Sequence, residues 1–160
     1  MERLAIVCGA GAVGCGARYL ISLWAGQRLG TSFPYGTLIV NVLGSFVIAL
    51  VMEVSIRSAE FSPNLRLALT TGLMGGFTTY SSFNYESTQL MLGGSALRGF
   101  ANIAITVVAC LGAERVVRGH AIRRASASPS SPAPRHATTV IAMFANPRSA
   151  EPPSISCVDS

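Results

Sequence analysis

One carboxamide stands alone in the longest uncharged stretch of this chain. Asn41 lies within Thr37-Leu-Ile-Val-Asn-Val-Leu-Gly-Ser45, and no charged residue occurs between Arg28 and Glu53. An amide among apolar neighbours costs free energy unless it finds partners. Two roles meet that condition: a hydrogen bond to another helix, or a ligand on a polar pathway. Farther along, Asn102, Thr106 and Cys110 recur at i, i+4 and i+8, which places them on one helical face. One polar stripe can be packing, whereas two facing stripes suggest a track. A third group is Gly75-Gly-Phe-Thr-Thr-Tyr-Ser-Ser-Phe-Asn-Tyr-Glu86, where Tyr80 and Phe83 are spaced so that both rings can face the same way on a short helix. Ring edges are electropositive, so two of them beside an amide and hydroxyl donors would hold a small anion without a cationic side chain. Glu86, the single carboxylate of this group, suits either proton coupling or a structural hydrogen bond near a helix end.

Other chemistry finds little support. No nucleophile, base and orienting group occur together in the apolar spans, and His120 and His136 lie outside them, so the chain does not read as an enzyme. The cysteines Cys8, Cys15, Cys110 and Cys157 have no CxxC spacing, and three sit in apolar runs, as small core residues do. Gly9-Ala-Gly11-Ala-Val-Gly14 matches G-x-G-x-x-G, but no acidic residue follows before Glu53 to meet a ribose. Close packing of membrane helices explains it better, through pairs such as Ala10 with Gly14 and Ala12 with Gly16. The pI near 9.5 comes from arginines scattered between apolar stretches, which does not suggest nucleic acid. Their one cluster, Arg115, Arg118, Arg123 and Arg124, reads as a juxtamembrane anchor.

The elements that would position these groups are membrane helices. Of the 160 residues 50% are hydrophobic and only 12% charged, about half the usual charged share, which argues against a soluble domain. A helix needs ~20 apolar residues to cross the hydrocarbon. The pattern predicts four spans: about 4–26, 35–56, a third from about 67 to 85, and 96–117. Gly72, Gly75 and Gly76 with several hydroxyl residues make the third a broken helix, with 75–79 as the break and a candidate site, since irregular backbone at membrane depth must be covered by protein or water. Residues 1–119 form the membrane domain, and 120–160 a Ser/Pro/Ala-rich tail expected to be disordered. Arg3, Arg57 and Arg66 lie on one side of such a four-span chain and Arg18, Arg28 and Arg98 on the other. That balance predicts weak or dual orientation, broken only by the C-terminal cluster, which pulls both termini towards the cytoplasm.

Three segments in order resemble the CrcB, or Fluc, family of fluoride channels: Gly11 to Tyr19 ending in Gly-Ala-Arg-Tyr, Gly36 to Phe46, and Gly75 to Phe83. The resemblance covers about residues 1–119. It implies an all-α membrane protein of four transmembrane helices, the third broken mid-membrane, assembled as an antiparallel, dual-topology homodimer in the bacterial inner membrane. Two pores would pass fluoride passively and relieve its toxicity. Asn41 would be the pore amide, Tyr80 and Phe83 the pore aromatics, and Thr37 would lie on the pathway. Thr106, with Asn102 and Cys110, would form the track of the fourth helix, and Arg18 would sit near the vestibule. Gly75 and Thr78 would offer backbone carbonyls to a structural Na+ at the dimer centre. The sequence departs from the family pattern at Tyr80, Asn102 and Cys110. Some bacterial relatives pair unequal copies, so a paralogue is an alternative partner. Two other readings stand beside the channel: a dual-topology small multidrug or cation exporter coupled to protons through Glu86, and a helical scaffold without transport.

Overall fold

The computed structural model describes residues 1–58 and 61–126. Among them the regular structure is all helical: α1 (Glu2–Leu29), α2 (Tyr35–Arg57), α3 (Pro63–Leu67), a π-helical stretch (Ala68–Met74), α4 (Gly75–Phe77), α5 (Tyr80–Leu92) and α6 (Ala96–Ser126). Three of these, α1, α2 and α6, are long and apolar enough to cross a membrane. Helix α6 runs through Ser126, past residue 120, carried on by good helix formers such as Ala121 and Arg123. The expectation of disorder from 127 onward, and Cys157, lie outside the described residues.

Local chemistry sets the ends. Gly30 closes α1 with φ 83°, and Gly94 turns the chain from α5 into α6 with φ 81°, both in the left-handed region that favours glycine. Ser62 caps α3 by accepting from the Leu65 N–H, with Pro63 next, where its missing N–H costs nothing. At the end of α2, the Arg66 guanidinium donates to the Ser55 carbonyl at 3.1 Å. The Thr70 hydroxyl donates back to the Arg66 carbonyl at 2.8 Å where the helix widens to π geometry.

The core is narrow. Val40, Met74 and Phe77 are buried, with Ala17, Ile21, Val47, Ile48 and Leu73 packed around them. Large apolar side chains such as Leu20, Trp24, Phe46, Leu50, Val108 and Leu111 face outward. An apolar surface of this extent marks a membrane or partner face.

The glycine motif of α1 is a packing face, along Ala10 and Gly14 as expected and with Gly11 between them. A Cβ on Gly14 would collide with the Leu73 carbonyl, one on Gly76 with the Gly11 carbonyl, and one on Gly72 would lie 2.7 Å from the Ala10 Cβ. Gly9 and Gly16 meet nothing within 4 Å, so Ala12 with Gly16 is not a contact face within this chain. Gly75 and Gly76 stay helical in α4, and the irregular residues are Thr78 and Thr79 alone. Gly76 is thus spent on approach to α1, and the break falls later than the glycines suggest.

Candidate functional site

Thr78 (φ −80°, ψ 159°) and Thr79 (φ −149°, ψ 116°) are extended between α4 and α5. Such a break leaves backbone groups without helical partners, and side chains take them up. The Thr79 N–H donates to Asn41 Oδ1 at 2.9 Å, and Asn41 Nδ2 donates back to the Thr79 carbonyl at 3.0 Å. One carboxamide therefore satisfies both backbone groups of one residue, and this pairing uses only one of its two N–H donors. Thr79 Oγ1 caps α5 by accepting from the Ser82 N–H at 3.2 Å, amid the hydroxyls of Ser81 and Ser82. Thr78 closes the other side, its N–H and hydroxyl both donating to the Met74 carbonyl at 2.9 Å.

The first turn of α5 carries the two rings. Tyr80 and Phe83 have centroids 5.9 Å apart and planes tilted by 51°. Phe83 is half-buried, whereas Tyr80 is 78% exposed and stands clear of its own chain. A turn later, the buried Thr37 hydroxyl donates to Glu86 Oε1 at 2.9 Å, while Oε2 is buried with no hydrogen-bond partner among the described residues. Beside this pair opens a cleft of about 400 Å³ whose lining includes Ser22, Gly36, Tyr85 and Gln89.

The stripe on α6 does share one face, the inward one. Asn102 is 1% exposed and donates through Nδ2 to Ser87 Oγ at 2.9 Å. Thr106 is also buried, but its Oγ1 has no hydrogen-bond partner among the described residues. Cys110 is a half-buried free thiol. Arg18 donates to Cys15 Sγ on its own helix at 3.7 Å. A Cβ at Gly75 would meet nothing within 4 Å. Among the described residues no group of three or more His, Cys, Asp or Glu could hold a metal.

Thr79 fell inside the candidate site read at 75–79 without a partner assigned to it, and Ser87 was not singled out at all. Thr79 carried a usable signal, a hydroxyl residue directly before a helical stretch, where N-caps are favoured. Ser87 carried none, because its importance depends on which residue α6 sets opposite it.

Apolar residues outside, and amides and hydroxyls gathered at a helix break inside, define a multi-pass membrane protein with an internal polar site. The chain belongs to the CrcB family: residues 5–117 match the family described as CrcB-like protein, Camphor Resistance (CrcB). Three relatives carry the name Fluoride-specific ion channel FluC. That of Geobacter sp. (strain M21) is 50% identical over 69% of this chain and 90% of its own length. That of Anaeromyxobacter sp. (strain K) is 53% identical over 69% and 88%, and that of Clostridium perfringens is 46% identical over 65% and 82%.

Proposed function

We propose that this chain is a fluoride-selective channel that lets cytoplasmic fluoride leave a bacterium passively across its inner membrane, and that it is not an enzyme. The observation that carries the reading is the Asn41 amide, fixed against the break with one N–H left over, beside the Tyr80 and Phe83 rings in a chain whose relatives are named for fluoride. Fluoride is small and strongly hydrated, so a pore must replace its water with close donors that do not hold it too tightly. Several weak donors in series do this better than one arginine. The unused Asn41 N–H, the unpartnered Thr106 hydroxyl and the two ring edges form that series. Cys110 extends it, Thr37 borders the path with its one hydroxyl proton given to Glu86, Asn102 stands on the same face of α6, and Arg18 draws anions at the vestibule.

Four spans make up each chain: α1, α2, the segment from α3 to α5 broken mid-membrane at Thr78 and Thr79, and α6. The working unit is an antiparallel homodimer of dual topology, or a dimer with a paired paralogue. Its support is Tyr80, a pore aromatic that projects away from its own chain, together with the balance of arginines on the two sides. A structural Na+ at the dimer centre fits the oxygens available. The Thr79 N–H, which would otherwise serve the Gly75 carbonyl, goes to Asn41, and the Ser82 N–H, which would serve Thr78, goes to Thr79 Oγ1. Gly75 and Thr78 thus lose their helical donors, and backbone oxygens are what a hard cation takes.

The proton-coupled exporter finds no support among the relatives, and Glu86 is engaged by Thr37. Purified protein in liposomes, followed with a fluoride electrode, tests the channel. The expected result is rapid efflux without a proton gradient, with Glu86→Gln still conducting. Transport that follows a pH gradient and vanishes in Glu86→Gln would replace the channel with the exporter.

A further inference from the structure

Asn102 and Ser87, at 1% and 2% exposure, are the two most buried of the buried polar side chains described here, and they are bonded to each other. The chain of bonds continues. Ser87 Oγ donates to the Phe83 carbonyl at 2.7 Å while accepting from Asn102 Nδ2 at 2.9 Å. A hydroxyl has one proton, so its donation to Phe83 leaves Ser87 only the acceptor role towards Asn102, and the direction of the relay is set. It ends on the backbone of the residue that carries the second ring.

The geometry that permits this is specific. Gly99 lies one turn before Asn102 on α6, and a Cβ there would sit 2.8 Å from the Ser87 carbonyl and collide with Met91. Glycine lets α6 come close enough to α5 for the short Asn102 side chain to reach across. The need for such a tie follows from the break. Helix α5 has 13 residues and no helical continuity with α4, so its rotation must be set by lateral contacts. Asn41 and Thr79 hold its start, and the Ser87 relay holds its next turns.

We infer that Asn102 and Ser87 are positioning residues, which set the Phe83 ring on the anion path by tying the Phe83 carbonyl to α6. This rests on the channel reading, and it gives Asn102 a role other than touching the ion. In liposomes, Ser87→Ala and Asn102→Leu should each lower fluoride efflux about tenfold, the double variant no further, and Ser87→Thr, which keeps the hydroxyl, less than about twofold. Protein with 4-fluorophenylalanine at position 83 adds a readout independent of transport, and its ¹⁹F resonance should shift and broaden in Ser87→Ala but not in Ser87→Thr. If Ser87→Ala conducts fully while Asn102→Leu does not, Asn102 acts alone and the relay is refuted. Lower yield with unchanged efflux per channel and an unchanged resonance would likewise overturn it, leaving a purely structural contact. A wild type that releases no fluoride sinks the channel reading instead, and the ¹⁹F comparison then still decides whether the relay sets the ring.

Discussion

Replacing Asn41 by aspartate should lower fluoride efflux by at least about 100-fold while leaving a folded protein. The change keeps one half of the pairing, since a carboxylate oxygen can still accept from the Thr79 N–H. It removes the other half, because nothing remains to donate to the Thr79 carbonyl, and an anionic oxygen then faces that carbonyl at the former 3.0 Å contact. Leaving a largely buried carbonyl unpaired costs about 1–3 kcal/mol. The second consequence is electrostatic. A fixed negative charge where the free amide N–H pointed repels the ion that the donor series is meant to carry, and inside the membrane little solvent screens it. Efflux equal to wild type from Asn41→Asp would remove Asn41 from the pathway and leave it only the stitching of the break.

A large stability effect is expected at Gly76, as at Gly14. A Cβ there would collide with the Gly11 carbonyl and lie 3.1 Å from the Gly11 Cα. These are backbone atoms of α1, which cannot rotate aside as a long side chain can. Gly76→Ala must therefore push α1 away from α4, at a cost of about 3 kcal/mol or more. Gly16→Ala is the internal control, since it meets open space within the chain and should stabilise α1 by about 0.5–1 kcal/mol through helix propensity alone. Thermal unfolding of the detergent-purified variants compares them directly. Equal midpoints for the two would mean that the close approach of Gly11 and Gly76 does not exist in the protein.

Much of this organisation was legible one residue at a time. The long apolar runs of α1, α2 and α6 can be read from composition because a membrane helix satisfies its own backbone and needs only apolar side chains. The shared face of Asn102, Thr106 and Cys110 follows from helical periodicity alone, and so does the common orientation of the Tyr80 and Phe83 rings. Local signals failed where one element had to know about another. The glycines of α4 pointed to a break across 75–79, whereas Gly75 and Gly76 are helical, Gly76 close against Gly11 of α1, and the chain is extended within that range only at Thr78 and Thr79.

What the amino-acid sequence by itself determined is the kind of protein: helices in a membrane, a weakened third segment, and a short inventory of amides, hydroxyls and rings. Only the tertiary structure decided how that inventory is spent. It assigned Asn41 to Thr79 and Asn102 to Ser87, and it left the Thr106 hydroxyl without a hydrogen-bond partner among the described residues. The reason is physical. Helix formation depends on neighbours within four residues along the chain, whereas a buried hydrogen bond depends on which groups two packed helices bring within about 3 Å.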